Sequence, residues 1–166
     1  MVKSTVFGYF CLMLMETRLG GVLKKAALLD EGQAWIESIT PELQQEYLEK
    51  WIKGDQLFNK GIDEDGDVLG TYSYMTQILS GGRKKAGTNY TLLDSGQFYR
   101  SIYIKVFRDV MLVDGDFNKM LDKNWWNINN LEESKILGLN DENLEKFIAQ
   151  VAIGYAEYFR RILGFG

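Results

Sequence analysis

Histidine is absent from this chain of 166 residues, and cysteine and proline occur once each, as Cys11 and Pro41. Without histidine the chain lacks the side chain that most often moves protons near neutral pH and the commonest ligand of catalytic zinc. A single cysteine closes no intrachain disulfide and has no histidine to activate it. Cys11 lies in an apolar run, reads as buried, and suits a reducing compartment. No Gly-x-Ser-x-Gly is present, and the carboxylates fall mainly in stretches that read as solvated loops. The expectation is a protein without enzymatic activity, cofactor or metal site.

Charge of one sign is also scarce. Nineteen basic against 23 acidic residues leave a formal charge of −4, and the basic residues are spread along the chain, so any DNA contact needs an assembled surface. The apolar run at residues 6–15 is too short to cross a bilayer as a helix of ~20 residues. Its flank, Glu16-Thr17-Arg18, lacks a small-x-small cleavage site. The run therefore reads as an element packed on its own fold or, within residues 1–30, on neighbouring subunits, and no membrane partner is expected.

What is present is core-forming material: 46% hydrophobic residues, with four Trp, nine Tyr and nine Phe, enough for one packed domain over 1–166. Residues 22–29 have helical character, and Ala34, Trp35, Ile36 and Ile39 suggest a short helix ended by Pro41. Thr40-Pro41-Glu42-Leu43 is a strong helix start, and Leu43, Tyr47, Leu48, Trp51, Ile52 and Phe58 extend an apolar stripe to about Asn59. Residues 61–70 form an acidic, glycine-containing loop. The series Asp63-x-Asp65-x-Asp67 has the spacing of a calcium loop, but Val68 and Tyr74 stand where Gly and Glu are needed, so a solvated turn is expected. Residues 72–79 read as a short helix or an extended lead into Ser80-Gly81-Gly82-Arg83-Lys84-Lys85-Ala86-Gly87-Thr88-Asn89, whose glycines and charges predict a mobile loop. Arg83, Lys84 and Lys85 lack the spacing and the strand-to-helix context of a nucleotide-binding loop. Contact with DNA or an acidic partner is the functional alternative to plain solvation.

Asp94, Ser95 and Gly96 predict a tight turn, with Asp and Ser bonding local backbone and Gly96 taking positive φ. Alternation after it predicts a strand, with Phe98, Ile102, Ile104 and Val106 packing the sheet. Residues 101–108 and 110–113 pair as a hairpin turning near Asp109, or form one strand bent there; Asp114-Gly115-Asp116 reads as a further hairpin turn. Residues 117–121 are a short helical candidate, and of the adjacent Trp125 and Trp126 one is expected in the core. Asn140 caps a last helix whose broad stripe, Leu144 through Leu163, can face both its own sheet and an adjacent protomer. The expected fold is α+β: a small antiparallel sheet packed by a long first-half helix and a C-terminal helix.

Three segments in order carry a family resemblance. Leu92-Leu93-Asp94-Ser95-Gly96-Gln97-Phe98-Tyr99-Arg100-Ser101-Ile102 resembles the Leu-x-Asp-Thr/Ser-Gly-x-Leu/Phe-x-x-Ser-Ile/Phe segment of tailed-phage tail-completion, minor-tail and virion-morphogenesis proteins. Lys60-Gly61-Ile62-Asp63-Glu64-Asp65-Gly66-Asp67-Val68-Leu69-Gly70-Thr71-Tyr72-Ser73 is similar to their Gly-Asp-rich loop with a following Gly-x-Tyr-Ser. Ile136-Leu137-Gly138-Leu139-Asn140 is similar to their lead into a C-terminal helix. Ser95 stands where Thr is more usual, and the first fifty residues carry no such likeness. The resemblance implies a virion structural protein, assembled in the host cytoplasm as a homo-oligomeric ring of the head-tail connector, neck or tail-completion region. Its partners would be portal, connector or tail proteins, with non-specific DNA in the channel. A small phage-encoded regulator that binds DNA or protein as a monomer or dimer is the alternative.

Overall fold

The computed structural model describes residues 18–119 and 133–164; Cys11, the 6–15 run and the Trp125-Trp126 pair lie outside the described residues. The chain is α+β. Helix α1 (Arg18–Ala26) and α2 (Glu31–Ser38) precede α3 (Pro41–Gln45), which runs straight into a π-helix (Glu46–Lys60). Then come α4 (Tyr74–Leu79), α5 (Gln97–Ser101), β1 (Tyr103–Val106), β2 (Met111–Asp114), a 3₁₀ turn (Phe117–Lys119), α6 (Glu133–Ile136) and α7 (Asp141–Leu163).

The long first-half helix starts as its residues predict: the Thr40 side chain accepts from the Leu43 N–H and Pro41 occupies the first turn. Its winding is the surprise. The π-helix caps with the Gly61 N–H donating to the Gln56 carbonyl, five residues back, and Gly61 takes φ 63. An ion pair at the same spacing, Lys60 to Asp55 at 2.8 Å, follows the wide turn. The buried positions, Tyr47, Trp51, Ile52, Gln56 and Leu57, recur at four to five residues instead of at the α-helical 3.6. The expected stripe is therefore corrected at its end: Phe58 is 51% exposed, while Gln56 is fully buried in its place.

The hairpin is the two-stranded antiparallel form, with Tyr103 opposite Asp114, Ile104 opposite Val113 and Val106 opposite Met111. The Phe107 N–H donates to the Val110 carbonyl at 2.8 Å and closes the turn. Such a pair is marginal by itself; Ile104, Val106, Met111 and Val113 lean on the core that Ile102, Phe98, Ile52 and Leu57 build. Asp114-Gly115-Asp116 is not a hairpin turn, a second correction. Asp114 ends β2 and accepts from the Tyr103 hydroxyl at 2.9 Å, and the chain passes into the 3₁₀ turn.

Helix α7 is seated by an aromatic cluster and by close backbone approach. Phe147 meets Tyr47 and Trp51 edge to face, with centroids 5.4 and 6.4 Å away. Burial, with the Glu64 charge adding to it, pushes the Tyr47 hydroxyl up to about 12. Further along, α7 lies so close to α2 that a Cβ on Gly154 would sit 2.6 Å from Ser38 Cα. The Asp30 N–H donates to the Tyr158 hydroxyl, and Arg161 pairs with Glu37.

Candidate functional site

The residues singled out by sequence occupy two adjoining structures, an arm and a turn. The arm is zipped at its base: the Tyr72 N–H donates to the Thr88 carbonyl, the Gly87 N–H to the Tyr72 carbonyl and the Tyr90 N–H to the Gly70 carbonyl, all within 2.8–2.9 Å. Above that base Ser73 caps α4 by accepting from the Thr76 N–H. The chain returns through left-handed glycines at Gly81, Gly82 and Gly87.

The basic loop closes on itself more than its composition predicts. The Gly82 N–H donates to the Gln77 carbonyl, the Ala86 N–H to Gln77 Oε1 at 2.8 Å, the Lys84 N–H to Ser80 Oγ, and Arg83 Nε to the Ser80 carbonyl. Nor are its three charges alike. Lys84, with a side chain only 12% exposed, pairs with Asp94 at 3.0 Å and lies 5.5 Å from the Tyr72 ring centre, whereas Arg83 and Lys85 face solvent. Of the three residues expected to offer contact to DNA or a partner, Arg83 and Lys85 present exposed side chains and Lys84 is turned inward.

In the turn, Asp94 spends its carboxylate on Lys84 instead of on local backbone. Ser95 Oγ accepts from the Gln97 N–H at 3.4 Å, and Gly96 takes φ 75 at the start of α5. Phe98 does not lie in the sheet as expected. Residues 97–101 form one helical turn, closed by the Arg100 N–H on the Gly96 carbonyl, and this delivers Phe98 into the core at 1% exposure. Ser101 then locks the turn to the strand exit, donating to the Phe98 carbonyl and accepting from the Asp116 N–H. Ile102 is buried, and Ile104 and Val106 are partly so. Two features were not legible: Leu92 adopts a positive φ of 53, a costly conformation for a branched side chain, and burial raises the Tyr99 hydroxyl, which donates to the Thr91 carbonyl.

Arm and turn together border an open cleft of about 380 Å³, with Phe58 and Tyr72 as its apolar wall and Arg83, Lys85 and Thr88 among its polar ones. The acidic loop contributes nothing of this kind. Asp63 Oδ1 accepts from the Asp65 and Asp67 N–H groups, Asp65 pairs with Lys135, and no cluster of three potential metal ligands occurs among the described residues.

Two apolar surfaces lie beyond the cleft: one on α4, which the sequence left unread, and one on α7, whose broad stripe was expected to reach an adjacent protomer. Helix α4 contributes no buried residue: Tyr74, Met75, Ile78 and Leu79 are 56 to 79% exposed. On α7, Leu144 and Ile148 are exposed on the face beside the one that buries Phe147. The broad stripe of α7 was the one available signal; a six-residue helix such as α4 is too short for its periodicity to declare a side.

A third structure holds α7 in place. Gln56 Nε2 donates to the Gly138 carbonyl at 2.9 Å, and its Oε1 accepts from the Asn140 N–H and from Asn143 Nδ2. Asn143 Nδ2 also reaches Asp55, which pairs with Lys60, and Lys60 continues to Glu142. Burial of Asp55 opposes its ionisation, but the hydrogen bonds from Lys60 and Asn143 outweigh that and hold its carboxyl below the ordinary 3.8. Lys60 is raised in turn, first by its bond to Asp55. Gln56 and Asn143, two of the three buried polar side chains among the described residues, are thus satisfied, as most polar groups in a core are. This is scaffold.

No family model matches the chain, and neither the curated proteins nor the solved structures contain a match to it. No helix among the described residues is long and apolar enough to cross a membrane.

Proposed function

We propose that the chain is a structural subunit of tailed-phage particles. It would be a head-tail connector, neck or tail-completion protein that associates with copies of itself as a ring around the DNA channel and joins the portal or an adjacent ring to the tail. The observation that carries this reading is the apolar surface left outward on α4 and α7 by a chain that already has a packed core. Contiguous exposed patches mark association sites, and closed cyclic symmetry is how copies of one small domain surround a channel. The three segments that resemble virion proteins also converge, which supports the reading. The Glu64 N–H donates to the Lys135 carbonyl in α6, and Leu69, Phe98 and Ile136 belong to one core cluster.

The test is the protein content and imaging of purified virions. The chain is expected at many copies per particle, within a ring density at the neck or tail end. A regulator would be absent from particles and abundant only in infected cells, and that outcome rejects the proposal.

A further inference from the structure

We infer that the ring contact is heterologous: the arm of one protomer, α4 with Arg83 and Lys85, docks on the Leu144–Ile148 face of α7 of the next. This rests on the reading above and names the surfaces that would serve it. The two faces match in chemistry. On α4, Tyr74 and Ile78 are spaced one turn apart, as are Met75 and Leu79, so four large exposed side chains cover one side of the helix. On α7, Leu144 and Ile148 repeat at the same spacing, Ala152 continues the line, and Tyr155 and Phe159, with rings 6.1 Å apart, prolong it half-buried.

The charges choose the partner. Arg83 and Lys85 stand exposed just beyond α4, and no ion pair involves either among the described residues. Asp141 and Glu145 flank Leu144 and Ile148 on an ideal helix, are exposed, and likewise have no ion pair among the described residues, because Lys146 and Lys60 turn to Glu142 instead. Apolar stripe against apolar stripe, with two cations facing two carboxylates, is complementary across copies and not within either patch. An isologous contact would put like charges together: arm on arm pairs cations, and α7 on α7 pairs carboxylates. A contact between unlike surfaces leaves one of each free at every step, so it propagates until the rotation closes a ring. The arm is preorganised for this, since its base is zipped by backbone hydrogen bonds and its loop is tied to Gln77 and Ser80. Little order remains to be imposed on docking.

The experiment is native mass spectrometry and sedimentation of the full chain with variants on each face. Ile78→Asp with Leu79→Asp removes the arm face, and Ile148→Asp removes the α7 face; each alone is expected to abolish the oligomer. Mixed in equal amounts they are expected to give a dimer that grows no further, because the intact α7 face of the first accepts the intact arm of the second. A second arm of the test uses exposed charges only: Arg83→Glu with Lys85→Glu is expected to weaken assembly by about tenfold or more, and Glu145→Lys in the same chain to restore part of it. Assembly that ignores every one of these changes, or mixed variants that stay monomeric while the parent chain oligomerises, overturns the contact and leaves the virion reading standing. A parent chain that stays monomeric at every concentration, yet is found in particles, also overturns it. Absence from particles defeats the virion reading independently.

Discussion

Gln56 and Phe58 trade the places their chemistry suggests, and the exchange is measurable. Because the π-helix turns Gln56 inward, Gln56→Ala orphans the Gly138 carbonyl and the Asn140 N–H and leaves a void. It is expected to cost about 3 kcal/mol in denaturant unfolding. Phe58→Ala, on a side chain 51% exposed, should change stability by only about 0.5 kcal/mol. An α-helical stripe would invert that order. At the basic loop, Lys84 and Asp94 should couple in a double-mutant cycle of Lys84→Met and Asp94→Asn by about 1 kcal/mol, as a partly shielded pair. Arg83→Ala and Lys85→Ala should leave unfolding unchanged. Sequence could supply the three cations but not this division, because Asp94 lies ten residues from Lys84 and meets it only through the arm.

At the scale of elements, the strong local signals held. Thr40 with Pro41 and Asn140 with its following acids have side chains that satisfy helix ends wherever tertiary structure puts them. The signals that failed were those that tertiary packing decides. Phe98 was expected to pack the sheet ahead of the strand, yet it reaches the core from the helical turn at 97–101, and Ser101 rewards that turn with two hydrogen bonds. Between α2 and α7 the spacing is set by Gly154. Gly154→Val is expected to force the helices apart at a loss of about 2 kcal/mol, read as a lower unfolding midpoint. Gly21→Ala in α1, where nothing lies within 4 Å of the added Cβ, is expected to gain about 0.5–1 kcal/mol. The clamp between the π-helix and α7 has its own pH window. Asp55 has a folded value below 3.8, so its stabilisation is present above 3.8 and is lost as pH falls through the folded value. Lys60 has a folded value above 10.5, so its stabilisation is present below 10.5 and is lost as pH rises through the folded value. Asp55→Asn should therefore cost stability throughout pH 5–10 and progressively less in acid, measured by urea midpoints across pH.

Over the whole molecule, the fold class was legible because composition and helix starts constrain it, and the width of the α7 stripe signalled an outward face there, whereas the outward face of α4 was not legible. A leucine on a helix is assigned to the core by default, and only coordinates separate Leu79, 79% exposed, from Leu57, fully buried. The proposal of a role in assembly rests on the outward apolar faces of α4 and α7. The proposed virion role meets its most direct test in quantitative mass spectrometry of tailed-phage particles produced from a genome that carries the coding sequence. The account predicts a fixed copy number of many chains per particle, stoichiometric with the neck or tail-end components. Virions that lack the chain altogether would contradict it.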